Sequence, residues 1–216
     1  MPADREKVLE AVKRAKELAG KRNFTQSVEL MVSFRDLDLN RVENRIVADV
    51  RLPHGTGKSQ KVAVFAEGEL AANARDAGAD LVLGRKEIEE LGGDRKRAKK
   101  LVDQYAFFLA QVDMMPFVGR QLGPILGPRG KMPKPVPPTA DIKSLIESCR
   151  AMIRINVRTQ PVAHVLVGRE RMSEEELADN VEAVISTLES RLPKGLKQIK
   201  SAYVKTTMGK PVRIEV

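Results

Sequence analysis

The chain has 216 residues, of which 42% are apolar and 31% are charged, a ratio typical of a globular protein. No segment reaches the roughly 18 apolar residues that a membrane helix needs. The charged first ten residues do not resemble a secretory signal. One cysteine and two histidines are too few for a four-ligand zinc site. The sequence therefore predicts a cytoplasmic protein without a disulfide, a membrane span, a metal or a cofactor.

The net charge of +9 is unevenly distributed along the chain. Three windows, residues 114–140, 148–169 and 190–214, contain fifteen Lys and Arg and no acid, so the rest of the chain has six more acids than bases. Clustered positive charge attracts a polyanion, because each neutralised phosphate releases condensed counterions. A single basic run is equally typical of a solvated surface, but three together favour a nucleic-acid partner.

The first predicted elements are a helix and two alternating strands. Residues 4–19 have one apolar helical stripe that stops at Gly20. Residues 27–34 alternate, with Val28, Leu30, Val32 and Phe34 on one side, and residues 45–52 alternate in the same way. Such alternation predicts antiparallel strands with one open face.

The middle of the chain has a different pattern. Residues 61–67, 79–84 and 105–110 are almost continuously apolar, with helical segments between them, which predicts a parallel sheet covered on both faces. The segment 121–138 has six prolines and predicts a rigid loop that carries Arg129, Lys131 and Lys134. Phosphate contact and a simple connector are equally open roles for this loop.

The last third of the chain returns to alternation, with strands predicted at 153–158 and 162–167. Ser173 and Glu176 form a predicted capping box at the start of a helix. Two final strands, 198–207 and 211–216, form a predicted hairpin in which Gly209 supplies a positive φ. The simplest assembly is an α+β domain of residues 1–60 and 153–216, with two helices on one face of an antiparallel sheet, into which an α/β domain of residues 61–152 is inserted.

Two helices cover only one face of the terminal sheet, so alternate strand residues face outward. They are Ser27, Glu29, Arg51, Arg154, Asn156, Arg158, Ser201, Tyr203, Lys205, Thr207 and Arg213. Only Tyr203 among them can stack on a base, so this basic, hydroxyl-rich set favours phosphate and ribose contacts with a folded RNA. An ordinary solvated face is the alternative interpretation.

Motifs for other functions are weak. HGTGKS (residues 54–59) has Leu52 where a phosphate-binding loop needs glycine, and a strand rather than a helix follows it. No dinucleotide fingerprint follows any predicted strand. Cys149 and His164 fit a core thiol and an unrelated surface histidine better than a nucleophile and its base. An α/β enzyme with a phosphate site near residues 123–130 and a general DNA binder are the competing hypotheses.

Three segments, LPHGTGK (52–58), LGPILGPRGKMP (122–133) and YVKTTMGKPVRI (203–214), resemble the L-one family of large-subunit ribosomal proteins, and KMPKP (131–135) resembles its archaeal branch. The resemblance implies two domains with a Rossmann-like middle domain, and a non-enzymatic protein that binds rRNA in the mobile stalk at the tRNA exit site. It also implies repression of translation through binding to its own mRNA. Exit-site tRNA and other large-subunit components are further implied partners.

The resemblance also implies which residues contact rRNA. The matched positions are Phe24, Ser27, Glu29, His164, Ser201, Thr207, Met208 and Gly209. The outward basic face adds Arg51, Arg154, Arg158 and Lys205, and the proline-rich segment adds Arg129, Lys131 and Lys134 as secondary contacts. We expect the hydroxyls of Ser201 and Thr207 to meet ribose hydroxyls, and Gly209 to let the backbone approach a sugar closely.

Overall fold

The computed structural model describes residues 5–137 and 140–215. These residues divide into two compact units. The terminal unit contains the described residues up to Lys58 and from Ala151 onward, and the middle unit is Ser59–Arg150. No helix within the described ranges is long and apolar enough to cross a membrane. Asp4, Pro138 and Val216, where predicted elements begin or end, lie outside the described residues.

The described part of the terminal unit has six strands in two antiparallel sheets. The strands are numbered here in the order in which they occur along the chain. The four-stranded sheet has the order β10-β9-β1-β8, and β2 pairs only with β7. Their bounds are β1 Ser27–Phe34, β2 Ile46–Arg51, β7 Met152–Val157, β8 Val162–Arg169, β9 Ile199–Thr206 and β10 Val212–Ile214. The antiparallel pairing is confirmed. The division into two sheets was not predicted, because alternation fixes the face on which a residue lies and not its partner strand.

The core of the terminal unit lies between these strands and two helices, α1 (Arg5–Glu17) and α7 (Glu174–Arg191). Buried residues of both helices and of all six strands form one apolar cluster. In β1 the residues Val28, Leu30 and Val32 are buried and those between them are half-buried, as the alternation predicts. Each fully buried Val or Leu contributes about 1.5–3 kcal/mol to folding. The alternate strand residues, half-buried or exposed, form an uncovered sheet face.

A capping box fixes the start of α7, as predicted. The Ser173 hydroxyl accepts a hydrogen bond from the Glu176 N–H at 3.1 Å, and the Glu176 carboxylate accepts one from the Ser173 N–H at 2.8 Å. Both bonds satisfy N–H groups that have no partner within the helix.

The segment 52–58 is held against α7 by Asn180, whose side chain is fully buried. Its amide oxygen accepts from the His54 N–H at 3.1 Å, and its NH₂ donates to the Gly55 and Val167 carbonyls at 2.8 Å each. At the start of this segment, the Leu52 N–H donates to the Ala151 carbonyl at 3.0 Å. A strand follows the loop, which confirms the rejection of a phosphate-binding loop.

The middle unit is a parallel sheet with the order β4-β3-β5-β6. Its strands are β3 Val62–Phe65, β4 Leu81–Leu83, β5 Phe107–Gln111 and β6 Lys134–Val136. Its helices are α2 Gly68–Asp76, α3 Arg85–Gly93, α4 Arg95–Gln104, α5 Met115–Leu126 and α6 Ile142–Ala151. All of β3 and the first four residues of β5 are buried, so both faces of these central strands are covered, as predicted.

The prediction of a rigid loop over residues 121–138 is wrong. Helix α5 continues through Gly123 and Pro124 to Leu126, and β6 begins at Lys134. The helix persists because its apolar stripe, including Leu122 and Leu126, is buried in the core of the middle unit, and this burial outweighs poor helix propensity. Pro124 lies in the last turn, where its missing N–H removes only one bond near the end of the helix.

We expect Ser173→Ala to lower the free energy of unfolding by about 1 kcal/mol, because the first turn of α7 loses its cap. Urea denaturation followed by circular dichroism measures the change. Ser186→Ala, at an exposed position of the same helix, is the matched control and should leave the midpoint nearly unchanged. Equal effects of the two substitutions would contradict a specific capping role.

Candidate nucleic-acid interface

Strand pairing arranges the uncovered face of the four-stranded sheet in cross-strand rows. From one end to the other the rows are Thr207, Ser27 and Arg169; then Lys205, Glu29 and Leu166; then Arg213, Tyr203, Met31 and His164; then Ser201, Ser33 and Val162. At about 3.3 Å per residue, the face extends roughly 20 Å from Ser201 to Thr207. The structure thus brings half of the twelve expected primary contact residues onto one surface, namely Ser27, Glu29, His164, Ser201, Lys205 and Thr207.

The chemistry of this face is polar and mixed in charge. Hydroxyl groups occur at both ends, and Lys205 lies directly across the ladder from Glu29. Hydroxyls and carboxylates can accept hydrogen bonds from ribose 2′-hydroxyls, which DNA lacks, whereas ammonium groups pair with phosphates. The arrangement can therefore distinguish RNA from DNA through the sugar edge.

At one end of the face, Thr207 extends the pairing of β9 with β1 beyond the last ladder residue. The Thr207 N–H donates to the Ser27 carbonyl at 3.0 Å, and the Thr207 hydroxyl oxygen accepts from the Ser27 N–H at 3.0 Å. A hydroxyl that accepts from the backbone can still donate its own proton. The Thr207 hydroxyl oxygen lies 3.4 Å from the Ser27 carbonyl oxygen, to which it donates. That proton can turn to a ligand, because a 3.4 Å bond is weak.

The loop after β9 is anchored by Gln26, a residue that sequence analysis missed. Its side chain is 0% exposed. The amide NH₂ donates to the carbonyls of Ala19 and Gly20 at 3.2 Å, and the amide oxygen accepts from the Met208 N–H at 3.0 Å. One buried amide therefore joins the segment just after α1 to the 207–209 loop. The only sequence signal was a polar residue placed just before an alternating strand.

Gly209 does not have the backbone conformation that the predicted hairpin assigned to it. It is not among the glycines with positive φ, so the prediction of a left-handed turn residue is wrong. Instead, a Cβ at this position would collide with the Thr206 hydroxyl and lie 3.3 Å from the Ala19 Cα. Glycine is required here because the loop packs closely against its own strand and the segment after α1.

Two large apolar side chains are exposed, one in this loop and one shortly before β1. Phe24 is 51% exposed and precedes Gln26 by two residues, and Met208 is 59% exposed. Exposed apolar side chains of this size, beside a hydroxyl-rich edge, suit packing on a sugar or base.

The predicted arginines of the terminal unit lie on or beside the two-stranded sheet. Arg51 is exposed near the end of β2, and Arg158 is exposed just after β7. Arg154 lies directly opposite Asp49 and forms a bidentate ion pair with it, at 2.7 and 3.3 Å. The charge of Arg154 is therefore largely compensated within the protein, whereas Arg51 and Arg158 remain accessible.

The three bases of the proline-rich segment lie in the middle unit and have structural contacts. Arg129 forms an ion pair with Asp103 at 2.9 Å. The Lys131 ammonium donates to the carbonyls of Val102 and Tyr105 at 2.7 and 2.8 Å, at the end of α4. The Lys134 ammonium lies 5.5 Å from the centre of the Phe107 ring. Their placement explains these bases without a ligand.

Catalytic chemistry has little support in this structure. Cys149 is buried in α6, while His164 is exposed on β8 in the other unit, as expected. The described residues contain no group of three or more His, Cys, Asp or Glu that could hold a metal ion. Burial, and secondarily the charge of Asp80, raises the pKa of Tyr105, so its phenol stays neutral at physiological pH.

These features describe an α+β unit whose antiparallel sheet has a polar outward face. The model of the Ribosomal protein L1p/L10e family matches residues 12–210, and the chain belongs to this family. It is 54% identical over 209 residues to the large ribosomal subunit protein uL1 of Methanothermobacter thermautotrophicus, which covers 97% of this chain and 99% of the relative. It is 48% identical to uL1 of Pyrococcus abyssi over 100% of this chain and 98% of the relative.

The comparisons confirm the resemblance to the archaeal branch of the family. They also confirm that the chain is not an enzyme, because these relatives are named as ribosomal proteins. The competing hypothesis of a phosphate-handling enzyme near residues 123–130 is therefore set aside.

We expect Gln26→Leu to expose Met208 to faster amide hydrogen exchange and to lower the free energy of unfolding by about 2 kcal/mol. The substitution leaves two carbonyls and one N–H without their buried partner, and each orphaned group costs about 1–3 kcal/mol less any relaxation. Exchange of the Met208 amide, followed by NMR, reports the loop directly. Gln160→Leu, at an exposed position of the same unit, is the control. An unchanged Met208 exchange rate would remove Gln26 from this role.

Proposed function

We propose that this protein is a structural rRNA-binding component of the large ribosomal subunit in the cytoplasm. The observation that carries the proposal is the uncovered face that ends in the anchored 207–209 loop. Family membership supports it, since relatives of the chain are named large ribosomal subunit proteins. A folded RNA presents sugar hydroxyls and phosphates to a protein surface, and the outward side chains can bind both kinds of group.

The loop end of the face is the proposed centre of recognition. Thr207 donates its hydroxyl proton to a ribose, and Ser27 and Glu29 accept hydrogen bonds from neighbouring 2′-hydroxyls. Met208 and Phe24 pack on sugar or base edges. The compact turn at Gly209 lets the protein backbone come close to the RNA backbone. Because Gln26 holds the loop before RNA arrives, little ordering entropy is lost on binding.

Cations and polar groups farther along the unit complete the proposed contact set. Lys205, Arg51 and Arg158 neutralise phosphates, whereas Ser201 and His164 contact sugars or phosphates toward the other end of the face. Arg154 contributes less, because binding a phosphate would compete with its ion pair to Asp49.

The domain roles follow from this placement. We assign rRNA binding to residues 1–60 and 153–216, and treat residues 61–152 as an inserted Rossmann-like domain. Arg129, Lys131 and Lys134 are at most secondary contacts, because each has a partner within the middle unit.

The proposal extends to the mobile stalk at the tRNA exit site, with exit-site tRNA and neighbouring large-subunit components as partners. It also includes repression of the protein's own mRNA. A face that recognises backbone shape and sugar hydroxyls accepts any RNA with the same local fold, so an mRNA that imitates the rRNA site would bind the same residues. The resemblance of residues 203–214 to the family supports this second activity.

We expect Thr207→Ala to weaken binding to a stalk rRNA fragment by at least about fivefold, because the substitution leaves a buried RNA hydroxyl without its partner, at a cost of about 1 kcal/mol or more. Thr207→Ser keeps the hydroxyl and is the matched control, with near-normal affinity. Filter binding or calorimetry at fixed salt measures both. Equal affinity of the Ala variant and the unaltered protein would count against this face as the rRNA site.

Competition tests the proposed mRNA and tRNA partners. We expect an RNA fragment from the start of the protein's own message to displace labelled stalk rRNA, and Thr207→Ala to weaken both complexes in parallel. A scrambled RNA of equal length is the control. If the protein bound the message and the rRNA at the same time, the two RNAs would not share a site and the proposed repression mechanism would be contradicted. For tRNA, we expect assembled large subunits to retain deacylated tRNA and the isolated protein not to retain it.

A further inference from the structure

Helix α4 carries the most concentrated positive charge of the middle unit. Five of its first six residues are cations, and all five are exposed; they are Arg95, Lys96, Arg97, Lys99 and Lys100. The remaining residue of these six, Ala98, is buried and packs with Val102 in the core of the middle unit. The cations therefore occupy the solvent-facing side of the helix.

These cations determine the sign of the middle unit. Residues 59–150 contain fifteen Lys and Arg and twelve Asp and Glu, so without the five of α4 the unit would have more acids than bases. Other bases of this unit are engaged. Arg85, Arg129 and Arg150 form ion pairs with Glu67, Asp103 and Asp80. Within the described residues, no carboxylate lies within ion-pairing distance of any of the five α4 cations.

The arrangement opposes the helix's own electrostatics. The first turn of α4 has no acidic residue and three cations, although the positive end of a helix favours negative charge. Lys96 and Lys100, like Arg95 and Lys99, are like-charged neighbours at i, i+4, which disfavours the helix. The Asp94 carboxylate, which caps the Lys96 and Arg97 N–H groups at 2.9 and 3.1 Å, offsets only part of this repulsion. A polyanion bound along the helix would relieve it.

We propose that the exposed side of α4 is a second RNA-binding surface, which contacts the phosphate backbone without reading sequence. Lysine and arginine without interleaved aromatic residues suit phosphates rather than bases. A membrane-binding helix would present large apolar side chains beside its cations, and the exposed side of α4 has none. This inference rests on the proposed function in one respect, namely that the partner is RNA.

The salt dependence of binding tests this surface. The probe is a 30-base-pair RNA duplex of unrelated sequence, titrated with the full chain between about 50 and 200 mM KCl. We expect Lys96→Ala with Lys100→Ala to reduce the slope of log K against log salt by about 1.8, close to 0.9 for each lost phosphate contact. Folding should survive, because alanine favours helices and the substitutions remove like-charge repulsion.

Lys86→Ala with Lys143→Ala is the matched control, since both residues are exposed bases of the same unit outside α4. An equal slope change in both double variants would mean that only net charge matters, and an unchanged slope in the α4 variant would exclude the surface. Either result overturns the inference. So would an α4 variant that loses binding to vesicles containing 30% phosphatidylserine while its RNA slope is unaltered.

Failure of this inference is distinguishable from failure of the proposed function. Thr207→Ala should weaken only the stalk rRNA complex and leave the duplex slope unchanged. A loss of the α4 effect with an intact Thr207 effect rejects the second surface alone, and the reverse result rejects the sheet-face assignment alone.

Discussion

The terminal unit depends on how much strand surface its helices can bury. The two helices α1 and α7 bury the inward residues of the six strands and leave the outward residues on the other side. Helices α1 and α7 complete a single apolar core with the inward residues, whereas the outward residues of β1 and β9 that face away from it are half-buried. The fold thus maintains a rigid polar surface whose residue positions are set by strand register. A side chain on this surface is located to within a strand spacing before any ligand arrives, which favours recognition of a folded partner by shape.

One buried amide extends this rigidity to the loop beside the face. Gln26 has no apolar role, yet it occupies a fully buried position because three backbone groups from two segments converge on it. Backbone groups at the end of a helix and in a turn need partners, and a single side chain supplies them. Packing of Gly209 against Thr206 and Ala19 completes the junction.

Much of the fold could be predicted from the sequence because periodicity reflects burial directly. The alternation of β1, the apolar runs of β3 and β5 and the Ser173 capping box all depend on neighbouring residues in the chain. What could not be predicted depends on distant partners. The separate β2–β7 sheet, the ion pair of Arg154 with Asp49 and the contacts of Lys131 all join segments far apart in sequence. The continuation of α5 through Pro124 likewise reflects core burial that propensity does not register. For the interface, residue types on the strands were informative, whereas Gln26 and the accessibility of each arginine were not.

The hydrogen bond between the Leu52 N–H and the Ala151 carbonyl continues the pairing of β2 with β7, and residues 53–58 of the terminal unit follow it before the middle unit begins at Ser59. A turn of about two to five residues is enough to bridge backbone segments paired in this way. A tight turn that joined Leu52 to Ala151 would therefore replace residues 53–58 together with the middle unit, and the smaller protein would keep the core of α1, α7 and the six described strands.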